Sequence, residues 1–527
     1  MDGDGWKRIL ASRNYGTFGS DLRTSLANML KILCRTHLDP LSEERNIEAY
    51  LACRLVPLDK SPGVRPIGIG EVLRRIFGKT LIRVIKKDIM KAAGSLQVCA
   101  EQQAGSEAAM DEIFAEEGTD TILLVDASNA FNTLKRDAFL LNIKLLCPAL
   151  STYITNCYCR NSRIFVTGGS ELVSSEGTTQ GDPMAMPTYA IGLVSLLDLL
   201  KEDPISCEVK EAAFADDLAG GGKLDNLLKG WTEINRAGPC LGYYPKASKS
   251  WLIVKEEKLQ EAKDLFEGTN IKITSDGRKY LGGSIGTDEF KTEYLESKVQ
   301  EWIEEIKTLA DIAKSQPHCA YSAFVRGIIH KFTYHIRVLK DISPVLQPLD
   351  QAIDQYLIPA LTEGHICSPT ERKLLSLPVK LGGLEIPILS DISDVEHSNF
   401  LRISESLKTD IVNQRKELNV NGNGNGIKYK VMREKDARQK LKLEEIRSQM
   451  SAEELKANDL AQAKGASNWL TALPLQNENF TLTKREFYDA IAIRYRWQLK
   501  HLPTHCACGK PYTVEHLLSC TKGGFIY

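Results

Sequence analysis

Nowhere in its 527 residues does this chain carry an apolar run of the about 18 residues that a membrane-spanning helix needs, so no stretch of it is predicted to cross a bilayer. It also lacks an excess of either charge: 67 Lys and Arg stand against 68 Asp and Glu, for a formal net charge of -1. That balance gives no global signature of a nucleic-acid binder, so any grip on phosphate must come from local clusters of Lys and Arg. The opening Met1-Asp2-Gly3-Asp4 lacks the basic and then apolar character of a secretory signal, and the expectation is an intracellular protein. Most of the 13 cysteines stand singly among apolar neighbours and read as reduced core thiols rather than a disulfide frame; only the last three look organised. No internal repeat is present.

What remains is an ordinary globular composition, 43% hydrophobic and 26% charged. The length is too great for one hydrophobic core and predicts about three or four domains. The patterns divide the chain as follows. Residues 1–120 are helix-rich with one extended stretch near Cys53 to Ile69. Over 121–289, short β-branched runs such as Ile122-Leu123-Leu124-Val125 and Ile164-Phe165-Val166 alternate with helical patterns, an α+β core. Residues 290–400 turn helical through Trp302, Ile306, Leu309 and Ile312, then Tyr321, Val325 and Ile328. The segment 401–465 contains Asn421-Gly422-Asn423-Gly424-Asn425-Gly426, which reads as a flexible linker, and then a highly charged helix from about Lys428 to Lys464. Apolar and aromatic residues return over 466–527, which closes on a Cys/His cluster.

Two acidic features carry the chemistry. Thr121 to Val125 is apolar and β-prone, so Asp126 stands at the mouth of a buried strand, where a charge is tolerated only against metal or a partner. Ninety residues later (216 minus 126), Ala212-Ala213-Phe214 leads to Asp216-Asp217 and then Leu218-Ala219-Gly220-Gly221-Gly222, a hairpin with the acidic pair at its turn. Carboxylates delivered from separate strands to one place are what a two-metal phosphoryl-transfer site needs, with the ions roughly 3.5 to 4 Å apart. Taken alone, an Asp-Asp turn is more often structural. The pairing with Asp126 points to a nucleic-acid polymerase.

The motifs arrive in the order seen in reverse transcriptases, and the chain resembles those of non-LTR retrotransposons. Leu55-Val56-Pro57-Leu58-Asp59-Lys60 and Gly63-Val64-Arg65-Pro66-Ile67 look like the fingers motif. Asp126 to Asn132 resembles the first palm motif, and Gly177-Thr178-Thr179-Gln180-Gly181-Asp182-Pro183 the template and nucleotide clamp. Phe214 to Asp217 is similar to the catalytic hairpin, Gly242 to Ser250 to the motif after it, and Tyr280-Leu281-Gly282-Gly283 to the primer grip. Together they span about Leu55 to Ile285. The resemblance implies a right-hand polymerase: an N-terminal extension and fingers over 1–120, a palm over 121–289, a helical thumb and post-thumb over 290–400, and a mostly helical C-terminal extension. It implies Mg²⁺-dependent synthesis of DNA on an RNA template from a DNA primer and deoxynucleoside triphosphates. Asp126, Asp216 and Asp217 would hold two Mg²⁺ ions.

Each motif also has a physical reading. Lys60 and Arg65 supply positive charge for a triphosphate, and Arg suits bidentate phosphate contacts. Gln180-Gly181 pairs an amide able to bond a sugar or base with a residue that permits close approach of a ligand. Phe131 is either a core ring or a bulky floor beneath the sugar that leaves no room for a 2′-OH. Lys249 is either a surface lysine or, as the resemblance implies, a proton donor to the departing pyrophosphate. Leu281 and Gly282 are the expected primer contacts. Arg75, Lys79, Arg83 and Lys86 or Lys87 recur at helical spacing and offer a basic stripe to a nucleic-acid backbone or simply to solvent. Lys331, His335 and Arg337 are thumb candidates for the same task.

The C-terminal cluster is separate. Cys506, Cys508, His516 and Cys520 supply three thiolates and an imidazole, a set that suits one tetrahedral Zn²⁺ in a knuckle too small for its own core. His505 competes with His516 as ligand. The one-residue gap between the first two cysteines departs from the common spacing. The cluster is similar to the Cys-Cys-His-Cys knuckle of retrotransposons that carry a restriction-like endonuclease, and Leu377 to Leu384 looks like their post-thumb region. In that lineage the nuclease follows the knuckle, whereas this chain stops at Tyr527, and the expectation is a truncated element product or gene fragment. Asn132 also stands where a second aspartate is frequent. Nuclear access is expected if synthesis is primed on chromosomal DNA. RNA-templated RNA synthesis, or a non-catalytic RNA-binding or assembly protein derived from a retroelement, are the alternative functions, and the oligomeric state is left open.

Overall fold

The computed structural model describes residues 6, 10, 16–38, 46–60, 63–100, 106–116, 118–166, 168–202, 208–418, 424–500, 504–511, 513, 516 and 519–522. The fold is mixed α and β, in two units: Met1–Phe290 with Ile403–Gly424, and Lys291–Arg402 with Asn425–Tyr527. No described helix is long and apolar enough to cross a membrane.

All the described strands lie in the first unit: β1 (Cys53–Asp59), β2 (Val64–Gly70), β3 (Thr121–Val125), β4 (Ser162–Val166), β5 (Glu171–Ser174), β6 (Lys210–Phe214), β7 (Asp217–Gly222), β8 (Trp251–Val254), β9 (Lys272–Thr274), β10 (Gly277–Tyr280) and β11 (Gly283–Gly286). They form sheets of order β2-β1-β4-β5, β6-β7-β3-β8-β9 and β10-β11.

The five-stranded sheet positions the site. β3 is almost fully buried because it is central, paired antiparallel with β7 on one side and β8 on the other. Its side chains alternate between two apolar layers, as the two-residue period of a strand dictates. Leu123 and Val125 join the larger core, together with Tyr189 and Leu196 of the helix Ala185–Glu202 and Trp231 and Ile234 of the helix Leu224–Leu241. Ile122 joins a second layer with Met110 and Ile113 of the helix Ser106–Ala115 and with Leu407 and Ile411. The glycines of β7 let this layer close, since a Cβ on Gly221 would collide with Ile113 and Ile122.

In the second unit the helix Asp288–Ala313 buries Leu295, Val299, Trp302, Ile306 and Leu309. Ile312, expected in that stripe, is instead 46% exposed. Ala313, four positions after Leu309, continues the buried face, and Ile312 falls about 100° away from it. Tyr321 is buried, and the helix Pro317–Ala323 passes through a π-helical turn, Phe324–Ile328, into Ile329–Val338. The expected single charged helix is two, Gly424–Arg447 and Ala452–Gln462. Ser451 starts the second by accepting from Glu454 N while the Glu454 side chain accepts from Ser451 N. Of the expected linker, Asn421 to Asn423 lie outside the described residues, whereas Gly424 to Gly426 open the first of these helices. Glycine costs a helix about 1 kcal/mol per residue. The run of Lys, Glu, Arg and Gln that follows favours helix strongly enough to carry it.

Candidate active site

Backbone pairing alone brings the distant acids together. β6 and β7 pair from Lys210↔Gly221 to Phe214↔Asp217, which leaves Ala215 and Asp216 as a two-residue turn and makes Asp217 the first residue of β7. β3 pairs with β7 up to Val125↔Leu218, so the next step of the ladder sets Asp126 opposite Asp217. The segment after the hairpin fastens the same corner. Asp126 N donates to Ser250 Oγ (3.3 Å), Lys246 N donates to Asp126 O (2.8 Å) and Ser128 N donates to Tyr244 O (2.9 Å). Lys249, on this segment, places its Nζ 3.6 Å from Asp126 Oδ1, with both side chains nearly half exposed.

Acidic groups crowd one another at this corner. Asp217 keeps solvent access along its side chain, yet crowding by surrounding protein, then Asp216 and Asp126, push its carboxyl up to about 6. Burial and Asp126 also raise Asp216, opposed by Arg65 and Lys60. The expected triphosphate cations thus lie within electrostatic reach of the turn, on the exposed end of the β1–β2 hairpin, where Leu58 pairs with Arg65. Among the described residues only Cys506, Cys508, His516 and Cys520 place three or more ligand atoms all within 4.8 Å of one another.

A cavity of about 400 Å³ opens at this corner, lined by Asp126, Asp217, Lys249, Trp251, Arg278, Leu281 and Gly282 among others. Leu281 and Gly282 are the turn of the β10–β11 hairpin, with φ of 46° and 90°. Two positive φ values mark the type I′ geometry that matches strand twist, which explains a glycine there. The Arg278 guanidinium lies 4.1 Å from the centre of the Trp251 ring, a contact that the sequence reading missed.

Gln180 lines a neighbouring cavity of about 330 Å³ with Pro66, Gly68, Asn132 and Thr179. Gly68 N donates to Gln180 O at 2.7 Å, and Gly181 has φ +104° with a Cβ-forbidding approach to the Gly68 carbonyl. This binds β2, and hence Arg65, to the Gln180 loop. Phe131 stacks on Tyr189 with centroids 4.5 Å apart, and its carbonyl accepts from Thr178 N at 2.7 Å. The residue is half-buried. Beneath this loop, Arg74 meets Asp182 at 2.5 Å with both side chains at most 5% exposed. Asp182 also accepts from Met184 N (2.9 Å) and from the Tyr158 hydroxyl (3.4 Å).

Two further residues that the sequence did not reveal hold the Ala215-Asp216 turn. Tyr243, fully buried, donates its hydroxyl to Asp216 O at 2.9 Å. Gln97, also fully buried, accepts from Ala215 N at 2.9 Å and donates to Ala215 O at 3.1 Å. Neither has a local signal, since their partners lie 27 and 118 residues away.

Elsewhere, the Cys506 and Cys520 sulfurs stand 3.6 Å apart and Cys508 Sγ lies 3.1 Å from His516 Nε2. Zinc–sulfur bonds of about 2.3 Å in a tetrahedron imply sulfur separations near 3.8 Å, so this donor set fits the ion. His505 bonds Thr504 and stands outside the group. The helix read over Val514 to Cys520 lies partly outside the described residues, although Cys520 N donates to His516 O at 2.8 Å. Arg75, Lys79, Arg83, Lys86 and Lys87 are exposed along Val72–Val84 and Lys86–Ala93. In the second unit, Lys331 is paired with Glu305 at 2.8 Å and His335 meets the Trp302 ring edge-on, 4.9 Å between centroids.

No protein-family model matches the sequence, and no curated protein does. Among solved structures, similar chains include apo telomerase from Candida tropicalis truncated from its C-terminal domain, at 12% identity and TM-score 0.35 over 50% of this chain and 58% of that one. Telomerase from Candida albicans in complex with a fragment of telomeric RNA matches at 9% identity and TM-score 0.41, over 75% of this chain and 66% of that one. Apo telomerase from Candida tropicalis matches at 10% identity and TM-score 0.39, over 77% of this chain and 72% of that one. This chain thus spans less than two thirds of the length of the first two.

Proposed function

We propose that this chain is an RNA-directed DNA polymerase that extends a primer 3′-hydroxyl with deoxynucleotides. One observation carries the reading. The β3–β7 register sets Asp126 beside the Asp216-Asp217 turn at the mouth of a cavity that Lys249, Leu281 and Gly282 also line.

Divalent cations, Mg²⁺ in this reading, held by Asp126 and Asp216 with Asp217 assisting, would supply the charge that activates the attacking oxygen and steadies the leaving one. Lys60 and Arg65 bind the triphosphate and offset the charge that spreads over its oxygens. Lys249, whose Nζ lies 3.6 Å from Asp126 Oδ1, gives a proton to the departing pyrophosphate in this reading. Phe131, braced by Tyr189, fills the space that a ribose 2′-OH needs, which favours deoxynucleotides. Gln180 and Gly181 contact the nucleotide, and the turn Leu281-Gly282 the primer strand. The exposed cations of Val72–Val84 and Lys86–Ala93 fit a nucleic-acid backbone.

The order of motifs supports assignment to a non-LTR retrotransposon lineage with access to the nucleus, and the Cys-Cys-His-Cys group supports a structural Zn²⁺. Purified protein should carry about one zinc per chain, and a Cys508→Ser variant with undiminished zinc content would remove that assignment. For the main reading, the protein is given an RNA template, a DNA primer and deoxynucleotides with Mg²⁺. Extension is expected from the unaltered chain and not from Asp216→Ala/Asp217→Ala; equal extension by both sinks the proposal. Preference for ribonucleotides with Phe131 intact would favour an RNA polymerase instead.

A further inference from the structure

Ala215 sits in the left-handed region at φ +56°, although it carries a side chain. In a two-residue hairpin turn with only the first residue at positive φ, that position favours glycine. Something must therefore hold Ala215 where its own preference does not. The Gln97 amide bonds both main-chain groups of this one residue, accepting from its N–H and donating to its C=O. Gln97 is itself fixed by the sheet. Ala213 N donates to Leu96 O at 2.7 Å and Val98 N donates to Ala213 O at 2.9 Å, so residues 96–98 run as a short parallel bridge along the outer edge of β6. Tyr243 grips the following carbonyl, that of Asp216.

We infer that Gln97 is a positioning residue of the polymerase site, a bidentate clamp that keeps the Ala215-Asp216 turn in the conformation that presents Asp216 and Asp217 to their cations. The inference rests on the polymerase reading. Its energetics follow from burial: the Gln97 amide is wholly removed from water, so a substitution that deletes it leaves the Ala215 N–H and C=O without those partners as well as freeing the turn. The clamp touches neither nucleotide nor primer, so its loss should act on the geometry of the carboxylates rather than on substrate affinity.

Gln97→Met keeps the length of the side chain and removes both hydrogen bonds. In primer extension, kcat per folded molecule should fall at least tenfold, the KM for deoxynucleotide should stay within about twofold, and the Mg²⁺ concentration for half-maximal rate should rise several-fold. A merely structural role would lower the melting temperature and the folded fraction while leaving the Mg²⁺ dependence unmoved. A second variant guards against instability of the first. Glycine adopts positive φ unaided, so Gln97→Met/Ala215→Gly should regain a substantial part of the lost kcat. Unchanged kcat and Mg²⁺ dependence in Gln97→Met, or a double variant no better than the single one, overturns the inference while leaving the polymerase reading intact. Absence of extension by the unaltered chain overturns the reading and this inference together.

Discussion

Two acidic places in the first unit are built on opposite terms. Asp182 is buried and answered on every side: Arg74 at 2.5 Å, the Met184 N–H and the Tyr158 hydroxyl. Asp217 lines a cavity with Asp126, Asp216 precedes it in the turn, and burial and their acidic neighbours raise the carboxyls of both rather than lowering them. A carboxylate used to hold a loop is given its counter-charge within the chain. One that must take up a cation is left short of charge, and the fold bears the repulsion. Arg74 and Asp182 then belong to scaffold, although Asp182 stands next to the Gln180-Gly181 pair in sequence.

The contrast can be broken most sharply by removing the charges. Asp216→Ala/Asp217→Ala should lower primer extension by about a thousandfold or more, since loss of cation binding forfeits several kcal/mol of transition-state stabilisation. Its melting temperature should hold or rise because a repulsion has gone. A clear fall in melting temperature would mean that these acids, too, are structural. Asp182→Asn should do the reverse, leaving Arg74 as an uncompensated buried charge at a cost of about 3–5 kcal/mol in urea unfolding. An unchanged unfolding midpoint would show that the buried pair is not holding the loop. Arg65→Ala should raise the deoxynucleotide KM about tenfold with little change in stability, the size of one charged hydrogen bond lost. Equal KM values would place Arg65 outside the triphosphate site.

The smallest effect is in pH. If Asp217 takes up a cation as proposed, proton and cation compete for it, and at limiting Mg²⁺ extension should rise several-fold as pH climbs through about 6. Stability runs the other way. A carboxyl whose folded value lies above its unfolded one favours folding at low pH, and that contribution is lost as pH rises through about 6. Asp217→Asn should flatten both trends, and a stability profile identical to that of the unaltered chain would deny the crowding.

How much of this is legible in the sequence follows from the distance over which each interaction acts. The apolar run ending in Asp126 and the glycine-rich strand after Asp217 declare a buried strand and a hairpin through local composition, and the sheet is built from them. The tight turn of Leu281 and Gly282 also meets its backbone requirement locally, yet the sequence reading took the pair only as primer contacts. The grips on the turn are not local: Gln97 looks like any polar residue until β6 is placed beside it. Helical periodicity assigns Ile312 to the core and misses because Ala313 takes the inward position. The break in the charged helix depends on one serine, Ser451, whose side chain caps the second helix. Lys331 had the charge of a nucleic-acid contact, and its use on Glu305 is visible only once the two helices pack.

Counting bound Mn²⁺ by electron paramagnetic resonance in the unaltered chain and in Asp126→Asn tests the central claim without requiring activity. Two manganese ions per unaltered chain, with a marked loss of that binding in the variant, are the predicted result. Manganese binding that is absent, or that is indifferent to residue 126, would contradict a corner built to receive cations.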